Sequence, residues 1–125
     1  MNQVTNLALN EPVRVDARRV GDIINELGEI AAQNVIGLAL EQLAGALGGV
    51  DLAVSLGNLA DTVMHADQLS RLAWQVGLTS LSGVAVDLGN CAERRDLTSL
   101  AAVRARLLRV GNQSLTQIWD SADFG

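Results

Sequence analysis

Few side chains in this sequence could do chemistry. There is one His, His65, one Cys, Cys91, no Tyr and no Lys. A metal site built on His or Cys would draw on His65 and Cys91 alone, and their separation fits no familiar ligand pattern. A carboxylate metal site inside a helical bundle would use Glu followed three residues later by His, a spacing that does not occur. The carboxylates stand about a helical turn or more apart, as on solvated faces. Twelve glycines are present, yet none follows a strand and opens a helix in the manner of a phosphate loop. Ser55, Ser70, Ser80, Ser82, Ser99 and Ser114 have no adjacent base in the sequence. Catalysis by a site of its own is not expected, and neither is a cofactor or a metal.

Charge narrows the field further. The formal net charge is −5, and all nine basic residues are Arg. An acidic chain without a basic patch holds a phosphate backbone poorly, so a nucleic-acid partner is not expected. Arg94–Arg95 and the stripe Arg104, Arg106, Arg109 read as a solvated helix face. Cys91 lies among Val84, Leu88 and Ala92 and reads as an inert core thiol. There is no cationic start followed by an apolar stretch and no run of 18 uninterrupted apolar residues. The expectation is a cytoplasmic protein without a membrane span.

The elements that must position these residues are helical. Apolar residues recur at three-and-four spacing, and the core-forming set is mainly Ala, Leu and Val, which suits packed helices. Residues 1–14 read as an irregular covering segment in which Val4, Leu7 and Leu9 could lie across a groove, with Pro12 ending it. A first helix is expected from an N-cap at Asp16 to a stop at Gly48–Gly49. A second runs from an N-cap at Asp51 to Gly77, with an interruption possible near Gly57 or Met64–Asp67. A third is announced by Thr79 and ends at Arg94–Arg95, cations that suit a helix C-terminus. A fourth begins at Asp96, and residues 121–125 read as a loose tail. No strand-type alternation appears. Four amphipathic helices with short connections fold most simply as an all-α, antiparallel four-helix bundle, one domain over residues 15–120.

Residues 66 to 108 read ADQLSRLAWQVGLTSLSGVAVDLGNCAERRDLTSLAAVRARLL. This segment resembles the second half of histidine-containing phosphotransfer (HPt) domains of two-component phosphorelays. That family runs Ala-His-x-Leu-Lys-Gly-Ser, then a glycine ten residues after the His, a Leu/Ala-rich helix, a short turn ending in Asp and a final Leu/Ala-rich helix. Gly77 matches the later glycine, Ala66 and Leu69 match the residues flanking the His, and Arg95–Asp96 matches the turn. Ten residues before Gly77 stands Asp67, where the phospho-accepting His would be. Ser70 replaces the family's Lys and Arg71 its Gly. The resemblance implies a scaffold that binds a response-regulator receiver or a histidine-kinase domain without relaying phosphate.

The surface so implied comprises Asp67, Ser70, Arg71 and Trp74. Asp67 would meet a receiver's acidic pocket with like charge unless a divalent cation lay between them, whereas Arg71 could pair with those carboxylates. Asp67 and Arg71 could equally form an ordinary surface ion pair, and Trp74 could fill the core instead of anchoring a partner. His65 lies about 200° around a helix from Asp67. It is the low-ranked alternative phospho-acceptor. A third reading is a structural protein that self-associates, as a homodimer, through an apolar face, with Trp119 and Phe124 or the glycine-spaced first helix at the contact.

Overall fold

The computed structural model describes residues 11–121, and among these the secondary structure is entirely helical. Five helices are present: α1 (Ala17–Leu27), α2 (Glu29–Ser55), α3 (Leu59–Gln75), α4 (Thr79–Glu93) and α5 (Leu97–Ser121). The expected four become five because the first long apolar pattern breaks at Gly28. This residue has φ +81°, closes α1 by donating its N–H to Ile24 O, and accepts from Ala32 to begin α2. Only glycine takes that backbone without strain. Apolar spacing continues across residue 28, so periodicity does not mark the break.

The next boundary also moves. Gly48–Gly49 does not stop α2, and Asp51 is no N-cap; both lie inside the helix, which runs on to Ser55. The true end is Gly57, φ +71°. Gly57 N–H donates to Val54 O and Asn58 N–H to Ala53 O, the paired bonds of a Schellman motif. Asn58 then caps α3: its side-chain oxygen accepts from Asp61 N–H while its amide donates to the Asp61 carboxylate. Helix α3 ends in the same motif at Gly77, and α4 ends in it at Arg95, whose N–H donates to Ala92 O. Arg95 holds φ +55° without being glycine.

Two expected starts are observed. Asp16 accepts from the N–H groups of Arg18 and Arg19 at the head of α1. Asp96 accepts from Ser99 N–H at the head of α5. These bonds, Ser99's hydroxyl first and its N–H second, hold the Asp96 carboxyl below its ordinary pKa. Thr79 is the first residue of α4, but no side chain caps that helix. Instead the stretch before α1 is laced to it. Arg14 N–H donates to Ser80 Oγ at 2.6 Å, Thr79 Oγ1 donates to Arg14 O, and Asp16 N–H donates to Gly77 O at 2.7 Å.

Consecutive helices α2, α3, α4 and α5 pack against one another, α3 with α4 most extensively, and a thinner α2–α5 contact closes the ring. Helix α1 covers one end, touching α2 and α5. The buried side chains form one cluster from Val20 and Ile36 through Leu69, Leu81 and Leu88 to Leu107 and Ile118. Cys91 is buried within it. The α2–α5 contact is braced by Arg104, whose guanidinium donates to the Asp51 carboxylate at 2.7 Å and to Ser55 Oγ at 2.8 Å. The arginine stripe of α5 is thus a set of cross-links. Arg106 and Arg109 reach Glu11, and Arg106 also approaches Asp87.

Helix α2 is long and apolar enough, by length and average composition, to cross a membrane, with mean hydropathy 1.4 over its best window. A core helix meets the same description, and Ile36, Leu43 and Val50 of α2 are core residues. Even so, only 28% of that window is buried. Much of its apolar surface has no cover within the described residues. Val4, Leu7, Leu9 and Phe124 lie outside those residues.

Candidate functional site

At 100° per residue, Asp67, Arg71 and Trp74 fall within about 60° of one another on α3. All three are exposed. The Asp67 carboxylate and the Arg71 guanidinium form an i,i+4 ion pair at 2.6 Å, with both side chains well solvated. Such a pair stabilises a helix by a few tenths of a kcal/mol, so a competing carboxylate could draw Arg71 away at little cost. Trp74 is 67% exposed and therefore does not fill the core, leaving a large apolar ring beside a solvated cation. Next to it, Asp16, Arg19, Gln75 and Thr79 line a shallow depression over the Gly77 turn. Arg19 Nε donates to Gln75 O across that turn.

Gly77 makes this arrangement possible. Its φ is +83°, and a side chain there would press to within 3.0 Å of Asp16. Glycine therefore serves two needs at once: the left-handed backbone and the close passage of the segment leading into α1.

Ser70 does not belong to the surface predicted for it. It sits about 60° from Asp67 on the inward side of α3 and is buried against α4. The Ser82 hydroxyl donates to Ser70 O at 3.0 Å, the Ser70 hydroxyl reaches Ser82 O at 3.2 Å, and the two hydroxyls lie 3.0 Å apart. This reciprocal pair satisfies polar groups in the interface and lets α3 and α4 approach through small side chains. Sequence reading treated Ser70 as the replacement for a family lysine. Its pairing with Ser82 depends on two helices meeting, which spacing within one helix cannot reveal.

His65 is half-buried on the α2 side of α3, turned away from the Asp67 face. Its ring occupies the space beside Gly49: a methyl group built on Gly49 would lie 3.2 Å from Nδ1. Gln42, Gly45, Gln68 and Leu72 continue the groove around it, about 370 Å³ in volume. Trp119 is partly buried near the end of α5. Among the described residues, no group of three or more His, Cys, Asp or Glu side chains gathers as a metal site would require.

Comparison of the chain with protein-family models, curated proteins and solved structures finds no match. What the fold and site define together is a class: an all-helical protein with an exposed charged and aromatic face on α3.

Proposed function

We propose that this chain is a cytoplasmic two-component signalling module resembling an HPt domain, one that docks a receiver or histidine-kinase domain and does not relay phosphate. The observation that carries the reading is the solvent-facing run of Asp67, Arg71 and Trp74, from the middle of α3 to its last turn. By the resemblance of the sequence, this run would take the position of the family's phosphotransfer face. Helices α2 to α5 would correspond to the family's four, with α1 as an addition over one end. The Gly77 turn after α3 and the Arg95–Asp96 turn before α5 follow the order of that resemblance.

Three physical features suit docking without transfer. Asp67 provides a carboxylate, which has no nucleophilic imidazole nitrogen to phosphorylate. Arg71 is held only by an exposed ion pair and can exchange Asp67 for a partner's carboxylate. Trp74 supplies the exposed aromatic anchor that dominates many interfaces. A partner held here is occupied but receives nothing, which makes the protein an adaptor or a sequestering factor.

The test is titration of the purified protein with receiver and kinase dimerisation domains from its own cell, followed by calorimetry and by tryptophan fluorescence in a Trp119→Phe background that leaves Trp74 as the reporter. Saturable binding is expected, weakened at least tenfold by Arg71→Glu and by Trp74→Ala. Both side chains are exposed, so both variants should retain their helical circular dichroism. Incubation with phosphorylated receiver should leave no acid-labile phosphate on the chain. Equal affinity in wild type and both variants overturns the docking surface, and label on the chain that disappears in His65→Ala would establish a working relay instead.

A further inference from the structure

The arginines of this chain divide by whether the fold uses their charge. Arg71, Arg104, Arg106 and Arg109 each meet a carboxylate. Arg14, Arg18 and Arg19 meet none among the described residues, and all three are exposed. They lie close together on the stretch that the Gly77 turn and the head of α4 hold in place. Arg94 and Arg95 are unpaired as well, but they follow the far end of α4, away from Trp74. In a chain of net charge −5, the end that carries Trp74 therefore gathers cations with no internal partner.

Arg19 is already positioned. Its Nε donates to Gln75 O at 2.9 Å across the turn. That bond holds the guanidinium over the turn and leaves its two terminal nitrogens without a partner among the described residues. Arg19 and Trp74 line the same depression, about 330 Å³ in volume, together with Asp16, Gln75 and Thr79. One wall is an exposed indole. Another is a fixed cation whose paired N–H groups match a carboxylate. Asp16 adds an acceptor: one of its oxygens takes the N–H groups of Arg18 and Arg19, and the other has no partner among the described residues.

We infer that this depression seats an acidic segment of a protein partner, its carboxylate on the Arg19 guanidinium and a neighbouring aliphatic side chain against Trp74. The inference deepens the docking reading of α3 and rests on it at Trp74: the partner's contact continues from Asp67 and Arg71 over the Gly77 turn onto α1. Charge selects the occupant. A peptide brings N–H donors for Asp16 together with a carboxylate for Arg19. A free phosphate brings only acceptors, and sets its charge beside the Asp16 carboxylate. An anionic bilayer does the same over a wider area, with Asp16 and Asp67 both exposed on that side. A shallow depression also does not enclose a small molecule as ligand pockets do, whereas a peptide gains the rest of its contact along the rim. Because Arg19 is held before the partner arrives, little side-chain freedom is lost on binding.

The test is selection of random short peptides displayed on phage against the intact chain. Acidic residues next to Leu, Ile or Val should be enriched, and the selected peptide should shift the indole N–H resonance of Trp74. Arg19→Gln, whose amide nitrogen can stand where Nε does, should weaken that peptide at least tenfold. Arg19→Glu should turn the selection toward Lys and Arg, and Trp74→Ala should remove the aliphatic preference. Arg94→Glu, beyond the far end of α4, should change none of this. All of these side chains are exposed, so helical circular dichroism should be unchanged. Absence of acidic enrichment overturns the inference, as does an enrichment that stays acidic in Arg19→Glu. A Trp74 resonance that moves with inorganic phosphate but with no peptide overturns it too. So does flotation with vesicles of phosphatidylcholine and phosphatidylglycerol when no peptide is selected.

These results are read without a receiver or kinase domain, so the two readings can fail separately. Binding of those domains that Arg71→Glu weakens and Arg19→Glu does not overturns this inference and leaves the docking face of α3 standing. Acidic peptides selected through Arg19, with no receiver or kinase domain bound, uphold the inference and remove that reading.

Discussion

Helices α3 and α4 and the long helix α2 are built from similar residues and end up in opposite circumstances. The α3–α4 pair hides Leu69, Ala73, Leu81, Ala85 and Leu88 between its members, and even its serines turn inward to satisfy one another. Helix α2 carries at least as much apolar surface, yet it hides one stripe and presents a second, through Leu38, Leu52 and Leu56, to solvent. Composition does not separate the two regions. What separates them is the breadth of contact: α3 packs broadly against both α2 and α4, whereas α2 packs broadly against α3 and only thinly against α1 and α5. An amphipathic helix needs one stripe to fold. A second stripe costs exposed apolar area.

Truncation experiments should break the two regions apart most widely. Leu69→Ala or Leu88→Ala removes a fully buried side chain and should cost about 2–5 kcal/mol in urea unfolding. Leu38→Ala or Leu52→Ala should change stability by no more than about 0.5 kcal/mol. Equal losses at both sites would mean that the second stripe is covered in the folded monomer.

Glycines should divide the same way. Gly77→Ala forces a left-handed backbone and a collision with Asp16 and Arg19, with an expected loss of about 2 kcal/mol. Gly48→Ala, inside α2 with nothing near its missing side chain, should stabilise by up to about 1 kcal/mol. Thermal unfolding of the two variants side by side reads the sign of each.

Ser70→Ala should cost about 1 kcal/mol, because it removes one hydroxyl of the reciprocal pair inside the α3–α4 interface. No change in the denaturation midpoint would place Ser70 on the surface after all. The smallest effect concerns the end of α4. Arg95→Gly should raise stability by about 0.5–1 kcal/mol, since glycine removes the left-handed penalty that arginine bears at φ +55°. Lowering the pH acts on the neighbouring cap: Asp96 has a depressed pKa in the folded state, so its contribution is complete above the ordinary Asp range and is lost as pH falls through that depressed value.

Much was legible in the residues before any fold was known. The all-helical class followed from three-and-four spacing without strand alternation, and Asp16 and Asp96 announced their helices because an N-cap acts within three residues of itself. The exposed ion pair of Asp67 and Arg71 was equally local, lying one turn apart on one helix. Boundaries set by glycine were legible only in part: the stop at Gly77 and a break near Gly57 were among the expectations, whereas the break at Gly28 was not and Gly48–Gly49 was expected to stop a helix that runs through it. Twelve glycines look alike in sequence, yet Gly28, Gly57 and Gly77 break the chain at positive φ while Gly48 and Gly49 lie inside a helix.

Contacts between helices decided the rest. Tertiary packing turned Ser70 inward to Ser82, put His65 against Gly49, left Trp74 in solvent and tied Arg104 to Asp51, because each outcome depends on which helix lies alongside. Sequence by itself determined which residues could form helices and where capping side chains begin them, since those energies are local. Only the tertiary structure decided which apolar residues of α2 became core and which, like Leu38, Leu52 and Leu56, stayed exposed, because burial is a property of neighbours.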